Sequence, residues 1–183
     1  MATTKLMTAE DLWELGESGS AGHELIRGEL REMSPTGDEH GELSASILWF
    51  LMLHVRQHNL GTVYAAETGF FIARDPDIVL APDAAFVQSS RLRDDRDRSK
   101  FVEIPPDLVV EVNSPSDRIS DVTDKVMSYL DSGVRMVWVV DPRRRIITVY
   151  IPDHTAKILT TDDQLDGGDV LPGFRLAVSE IFS

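Results

Sequence analysis

Residues 107–140 read Asp107-Leu-Val-Val-Glu111-Val-Asn-Ser-Pro115-Ser-Asp-Arg-Ile-Ser120-Asp-Val-Thr-Asp-Lys125-Val-Met-Ser-Tyr-Leu130-Asp-Ser-Gly-Val-Arg135-Met-Val-Trp-Val-Val140. The first five apolar-rich positions, Leu108 to Val112, have the near-continuous hydrophobicity of a strand buried on both faces. Ser116 or Asp117 can cap a helix that runs to about Asp131, with Val122, Val126, Tyr129 and Leu130 on one face and Gly133 closing it. Val134 to Val140 is again strongly apolar. Strand, helix and strand in that order predict a βαβ unit whose two strands lie parallel with a right-handed crossover. The fold class is therefore α/β, with helices covering a central sheet.

Outward toward the amino terminus, Thr62 to Ile72 and Ala84 to Val87 are strand-like between Pro and Asp turns. From Gly37 to His58, Leu43, Ile47, Leu51 and Val55 recur every four residues, and Trp49, Phe50 and Met52 make the middle apolar all round. That helix is expected to be buried on more than one side, by the rest of the domain or by a second copy. His23 to Met33 reads as a hairpin turning at Arg27-Gly28. Thr8 caps a short acidic helix to Leu15, a lid or a strap, ended by the Gly- and Ser-rich stretch Gly16 to Gly22. Between the strands, Ser89 to Lys100 holds five basic and three acidic residues with no apolar period, and reads as a mobile charged loop. Toward the carboxyl terminus, Ile146 to Tyr150 and Ala156 to Thr160 continue as strands, and Leu171-Pro-Gly-Phe174 begins a terminal strap.

The chain has 183 residues, 42% of them hydrophobic and 27% charged, which suits one domain spanning 1–183 with its own core. A formal charge of −13 argues against broad nonspecific nucleic-acid binding. The absence of cysteine removes disulfides, thiolate ligands and thiol nucleophiles, and is compatible with a reducing cytosol. Residues 1–10 lack the apolar region of a signal peptide. The longest apolar run, Ile47-Leu-Trp-Phe-Leu-Met-Leu53, falls far short of the ~20 residues that span a bilayer. A soluble cytoplasmic protein without membrane partners is expected.

No nucleophile elbow, zinc-protease helix, Walker loop or dinucleotide fingerprint is present. Asp162-Asp-Gln-Leu-Asp-Gly167 resembles the start of a calcium loop, but Gly173 stands where the bidentate Glu is required, so it reads as a turn. The informative anomaly is Glu111, a carboxylate inside an otherwise buried strand, which needs a cation, a metal or a proton. Its bland reading is a salt bridge or a solvated strand end. Asp83 opens a strand after Pro82, and by itself is a turn acid. Lys125 lies at the margin of its helix's buried face, and by itself is an i,i+4 partner of Asp121. Together, two acids on different strands and a nearby Lys suit phosphodiester hydrolysis assisted by Mg²⁺ or Mn²⁺.

These residues carry a family resemblance. Pro82-Asp83, Pro106-Asp107-Leu-Val-Val-Glu111-Val-Asn-Ser-Pro115, Asp121-x-x-x-Lys125-x-x-x-Tyr129-x-x-x-Gly133-Val134 and Trp138-Val-Val-Asp-Pro142 resemble the Uma-type restriction endonuclease family, a branch of the PD-(D/E)XK nucleases. Thr8 to Leu15, Glu24-Leu-Ile-Arg-Gly-Glu29, His40-Gly41 and Leu171-Pro-Gly-Phe174 extend the resemblance over nearly the whole chain. It implies a restriction endonuclease-like core with a mixed central sheet, preceded by a helix and a hairpin. It also implies that Asp83 and Glu111 are the metal-binding acids. The plain E-x-K motif would place Lys at position 113, where this chain has Asn113; the Uma-type pattern supplies the amine from the following helix, at Lys125. Glu24, His40 and Glu67 fall on recurring family positions and are accessory candidates. Each has a structural alternative: a hairpin pair for Glu24, a helix start for His40, an exposed strand face for Glu67.

Two functions follow as expectations. The first is a metal-dependent DNA endonuclease, with Arg91, Arg93, Arg96, Arg98 and Lys100, and Arg143 to Arg145, as local phosphate contacts. The second is a nuclease-fold dimer with weak or no catalysis, acting as a binding or regulatory module. A homodimer is expected under both, through the apolar helix at Trp49, Phe50 and Met52 and through Met136 to Val140 as an exposed sheet edge.

Overall fold

The computed structural model describes residues 6–17, 22–153 and 155–183. The expectation of no signal peptide at 1–5, and part of the Gly- and Ser-rich stretch at 18–21, lie outside the described residues. The elements run α1 (Ala9–Glu17), β1 (His23–Ile26), β2 (Glu29–Glu32), α2 (Asp38–His58), β3 (Gly61–Ala65), β4 (Phe70–Ala73), β5 (Ile78–Leu80), β6 (Ala84–Gln88) and β7 (Leu108–Val112). They continue as α3 (Ile119–Asp131), β8 (Met136–Asp141), β9 (Ile146–Tyr150), β10 (Ala156–Leu159), β11 (Gln164–Asp166), β12 (Arg175–Ala177) and α4 (Val178–Ile181).

A six-stranded sheet has the order β10-β9-β8-β7-β6-β3. Only β7 and β8 pair in parallel, Leu108 opposite Met136 through Val112 opposite Val140, with α3 as their connection. The mixed α/β core is as expected from the βαβ reading. A second sheet, β2-β1-β5-β4, holds the hairpin, whose turn places Arg27 at φ 52° and Gly28 at φ 78°. Those angles are a type I′ turn, which matches strand twist and favours Gly at its second centre. Thr8 caps α1, its hydroxyl accepting from the Asp11 N–H at 3.1 Å. The helix is a strap on the smaller sheet: Ala9 and Leu12 are buried against Leu25 and Val79.

The two faces of the large sheet carry separate cores, because side chains alternate along each strand. Leu108, Val110, Val112, Trp138 and Val140 face α2 and the terminal strap, meeting Leu43, Ile47, Leu51 and Phe174. Ala85, Val87, Val109, Val137 and Val139 face α3 and the smaller sheet, meeting Val126, Tyr129, Phe70 and Leu80. Glu111 shares parity with Val109 and Asp83 with Ala85, so both acids project toward α3.

Several expectations are corrected. Thr62 to Ile72 is not one strand: a turn at Glu67, φ 68°, breaks it into β3 and β4, which join different sheets. The short strand β5 went unread because its three residues carry no period. Neither Ser116 nor Asp117 caps α3; Asp117 instead accepts from the Ser114 N–H at 2.6 Å, and the helix starts after Arg118. The strand β8 is interior, paired on both sides, so Met136 to Val140 offers no edge. One stripe of α2 is buried, and Trp49 stays 59% exposed. The loop after β6 opens with a 3-10 turn, Ser89–Arg91, and leaves β6 at the end opposite Asp83, about 17 Å away for five extended residues. There Arg91 ion-pairs with buried Asp107 at 3.0 Å, and Arg93 with Asp95 at 2.7 Å. Those basic residues serve the far end of the sheet, not the acid pair. Asp107, which opens β7, also accepts from the Gln88 N–H at 2.8 Å, tying the β6–β7 corner.

Candidate active site

The strands β6 and β7 are antiparallel with Ala84 opposite Val110, so the next step of the register sets Asp83 opposite Glu111. Directly opposed residues project to one side of a sheet. Asp83 is locked there by the Val112 N–H, which donates to Oδ2 at 2.7 Å. The segment Ala81-Pro82 carries the chain from β5 in the smaller sheet to β6 in the larger one, so Asp83 sits at their junction. Here the two sheets open a cleft of about 370 Å³ whose lining includes Glu24, His40, Asp83, Glu111 and Lys125.

Lys125 does not form the helical pair with Asp121; Arg31 takes Asp121, at 3.6 Å. Lys125 Nζ reaches across to Glu24, 2.9 Å from each carboxylate oxygen, and lies 3.6 Å from Glu111 Oε2. Glu24, on β1, is almost wholly buried and also accepts from the Ala81 N–H at 3.0 Å. Its cross-strand neighbour Arg31 is not its ionic partner, so the hairpin-pair reading of Glu24 fails. The amine absent at Asn113 is thus brought to Glu111 by α3 and held there by Glu24.

Glu111 Oε1 accepts from the Tyr129 hydroxyl at 2.6 Å. Residues 125 and 129 are one helical turn apart, so α3 presents the ammonium and the phenol to the two oxygens of one carboxylate. Tyr129 was legible only as a core position. Its four-residue spacing from Lys125 was the available signal. Burial raises the Glu111 pKa to about 7; Lys125 opposes this, while Glu24 and Asp83 add to it. Burial alone would lower the pKa of Lys125, but Glu111 and Glu24 outweigh it and hold the ammonium charged throughout the neutral range. Burial and the Glu111 charge keep Tyr129 protonated, hence a donor.

His40, at the start of α2, is 3.3 Å from Asp83 Oδ2, and that contact raises its pKa above the ordinary value. Its ring also lies 3.4 Å from Ser44 Oγ. Glu67 stands apart: it is exposed on the β3–β4 turn and lines a different hollow, beside Trp13 and Phe101. A second hollow of about 460 Å³ adjoins the cleft, shares His40, Asn113 and Asp117 with it, and is lined by Arg143 and Arg144. Arg144 pairs with Asp141 at 2.7 Å. Arg145 donates to the Phe182 carbonyl and faces away.

Among the described residues, no three His, Asp or Glu side chains form a ready metal cage. The donors nevertheless fit a hard divalent ion, which takes one or two carboxylates and retains water. Three carboxylates, Glu24, Asp83 and Glu111, share a single ammonium; burial is the main cause of the elevated Glu111 pKa, and the charges of Glu24 and Asp83 add to it. Replacing Tyr129 by Phe is expected to raise the Glu111 pKa further, since the lost donor favours the ionised carboxylate. A carboxyl ¹³C titration followed by NMR measures it, and an unmoved midpoint would refute this role for the phenol.

A search of the curated proteins finds no match. Among solved structures, a protein described as "a putative nuclease belonging to DUF820" from Anabaena variabilis ATCC 29413 superposes with a TM-score of 0.82 at 19% identity. The match covers 96% of this chain and 97% of that one, and at such identity it establishes the fold. The sequence profile of Uma2, described as "Putative restriction endonuclease", matches residues 9–179. That span takes in the strap, both sheets and every residue of the cleft, and the chain belongs to the Uma2 family.

Proposed function

We propose that this chain is a metal-dependent endonuclease that hydrolyses DNA phosphodiester bonds, working as a cytoplasmic homodimer. The observation that carries the reading is the Glu24–Lys125–Glu111 ion group set beside Asp83 on the neighbouring strand. Asp83 and Glu111 would hold Mg²⁺ or Mn²⁺, which when bound supplies Lewis-acid activation of water and neutralises phosphoryl charge. Lys125, permanently charged, orients the attacking water and stabilises developing negative charge; it is no general base. Glu24 aims that ammonium, and Tyr129 fixes the Glu111 carboxylate. His40, its pKa raised by the hydrogen bond to Asp83, is placed for proton transfer at the cleft margin. Arg143 and Arg144 line the adjoining hollow, where a DNA backbone could lie along the cleft.

The test is calorimetric titration of Mn²⁺ into the wild type and Asp83→Asn, with and without duplex DNA. One site in the wild type, lost in the variant, supports the reading. No binding in the wild type under either condition would overturn it and favour the second function, a noncatalytic binding module. What favours that alternative is Lys125 itself, which already neutralises part of the acid cluster without a metal.

A further inference from the structure

The helix α2 carries an outward stripe that the fold leaves uncovered. Its buried residues, His40, Leu43, Ile47, Leu51 and Val55, centre on the side opposite Trp49, given 100° per residue. Trp49 is 59% and Leu53 42% exposed, although both belong to residue types that rarely stand in water together on one face. Within 40° of Trp49 on the same stripe lie Asp38 at the start of the helix and then Glu42, Ala45, Leu53 and Arg56, by the same helical arithmetic.

This order is self-complementary. Glu42 lies seven residues before Trp49 and Arg56 seven after it; Ala45 lies four before and Leu53 four after. A two-fold axis through Trp49, perpendicular to the helix, would set a second α2 antiparallel to the first. Each Glu42 then meets the other copy's Arg56, each Leu53 meets the small Ala45, and the two Trp49 rings meet at the axis. Such reciprocity is what an isologous interface requires. The alternation of bulky and small residues lets antiparallel helices approach closely. Both charged side chains are exposed and sit at the ends of the apolar segment, as rim charges do. The wider helix agrees with this polarity: Asp38 and Glu39 lie in its first turn, Arg56 and His58 in its last.

We infer that the uncovered α2 stripe is the interface of a two-fold dimer, occupied by α2 of a second copy with Trp49 on the axis. The idea does not rest on the nuclease reading. His40 points to the opposite side of the helix, so the pairing leaves both clefts open.

Sedimentation velocity over a hundred-fold range of concentration tests this. The wild type is expected to be dimeric. Trp49→Glu places two carboxylates together on the axis and should give a folded monomer whose melting temperature, unlike that of the wild type, does not rise with protein concentration. E42R and R56E should each weaken dimerisation by about ten-fold or more, through like charges across the interface. The double variant E42R/R56E should restore it, since each Arg again meets a Glu. A monomeric wild type would overturn the proposal, and so would a dimer that ignores Trp49→Glu or a double variant no tighter than either single one.

Discussion

Glu111→Gln is expected to abolish cleavage and, in the metal-free protein, to increase stability above about pH 7. The two effects have one cause. Glu111 is held in a buried place opposite Asp83 and near Glu24, where its pKa is raised from 4.5 to about 7. A carboxyl with a raised native pKa binds its proton more tightly when folded. Its stabilising contribution is full below pH 4.5 and is lost as pH rises through about 7. At pH 8 the wild type therefore bears the strain of a buried charge, on the order of a few kcal/mol, which Gln of nearly the same shape does not. Removal of a preorganised charged group should lower kcat by about 10²–10³ or more. Denaturation at pH 5 and pH 8 checks the first part, and turnover checks the second. A variant less stable than the wild type at pH 8 would contradict the electrostatic reading, and retained cleavage would contradict the catalytic one.

Lys125→Met should do the reverse to stability. The ammonium is the shared counter-ion of Glu24 and Glu111, whose side chains are 4% and 14% exposed. Removing one partner of a buried ion group leaves uncompensated charge, at a cost of about 3–5 kcal/mol. The penalty should be full at pH 8 and smaller at pH 5, below the raised pKa of Glu111, and Glu24→Gln in the same chain should relieve part of it. Denaturation of the single and double variants at both pH values measures this coupling. A loss below about 1 kcal/mol at pH 8 would mean that the ion group is no more than a surface pair. Cleavage should be lost in either variant background, because nothing else on α3 presents a cation to Glu111.

The secondary elements around the cleft were largely legible. Long apolar runs with clear periods announced β7, β8 and α2, and the turn chemistry of Arg27-Gly28 announced the hairpin. Short or interrupted segments were not: β5 has three residues, and the break between β3 and β4 depends on which sheet each joins. The acids Asp83 and Glu111 stood out because a carboxylate in an apolar strand context needs a partner. Lys125 stood out at the margin of its helix's buried face, although its own local context pointed to Asp121, and the family pattern then gave it the place of the missing amine. Glu24 was no more than an accessory candidate, because its partner lies 101 residues away in sequence. Glu67 matched a family position equally well and is elsewhere in space.

Periodicity and the apolar strands by themselves determined the βαβ core, the strap and the hairpin, since these depend on local backbone preference and on which side of an element is apolar. The sequence likewise determined that Glu111 would require compensation. Which charge compensates it was decided only by tertiary structure: the docking of the smaller sheet against α3 sets Glu24 beside Lys125, and the β6–β7 register sets Asp83 beside Glu111. Local patterns cannot encode that choice, because the energy of an ion group depends on distance and burial between elements far apart along the chain.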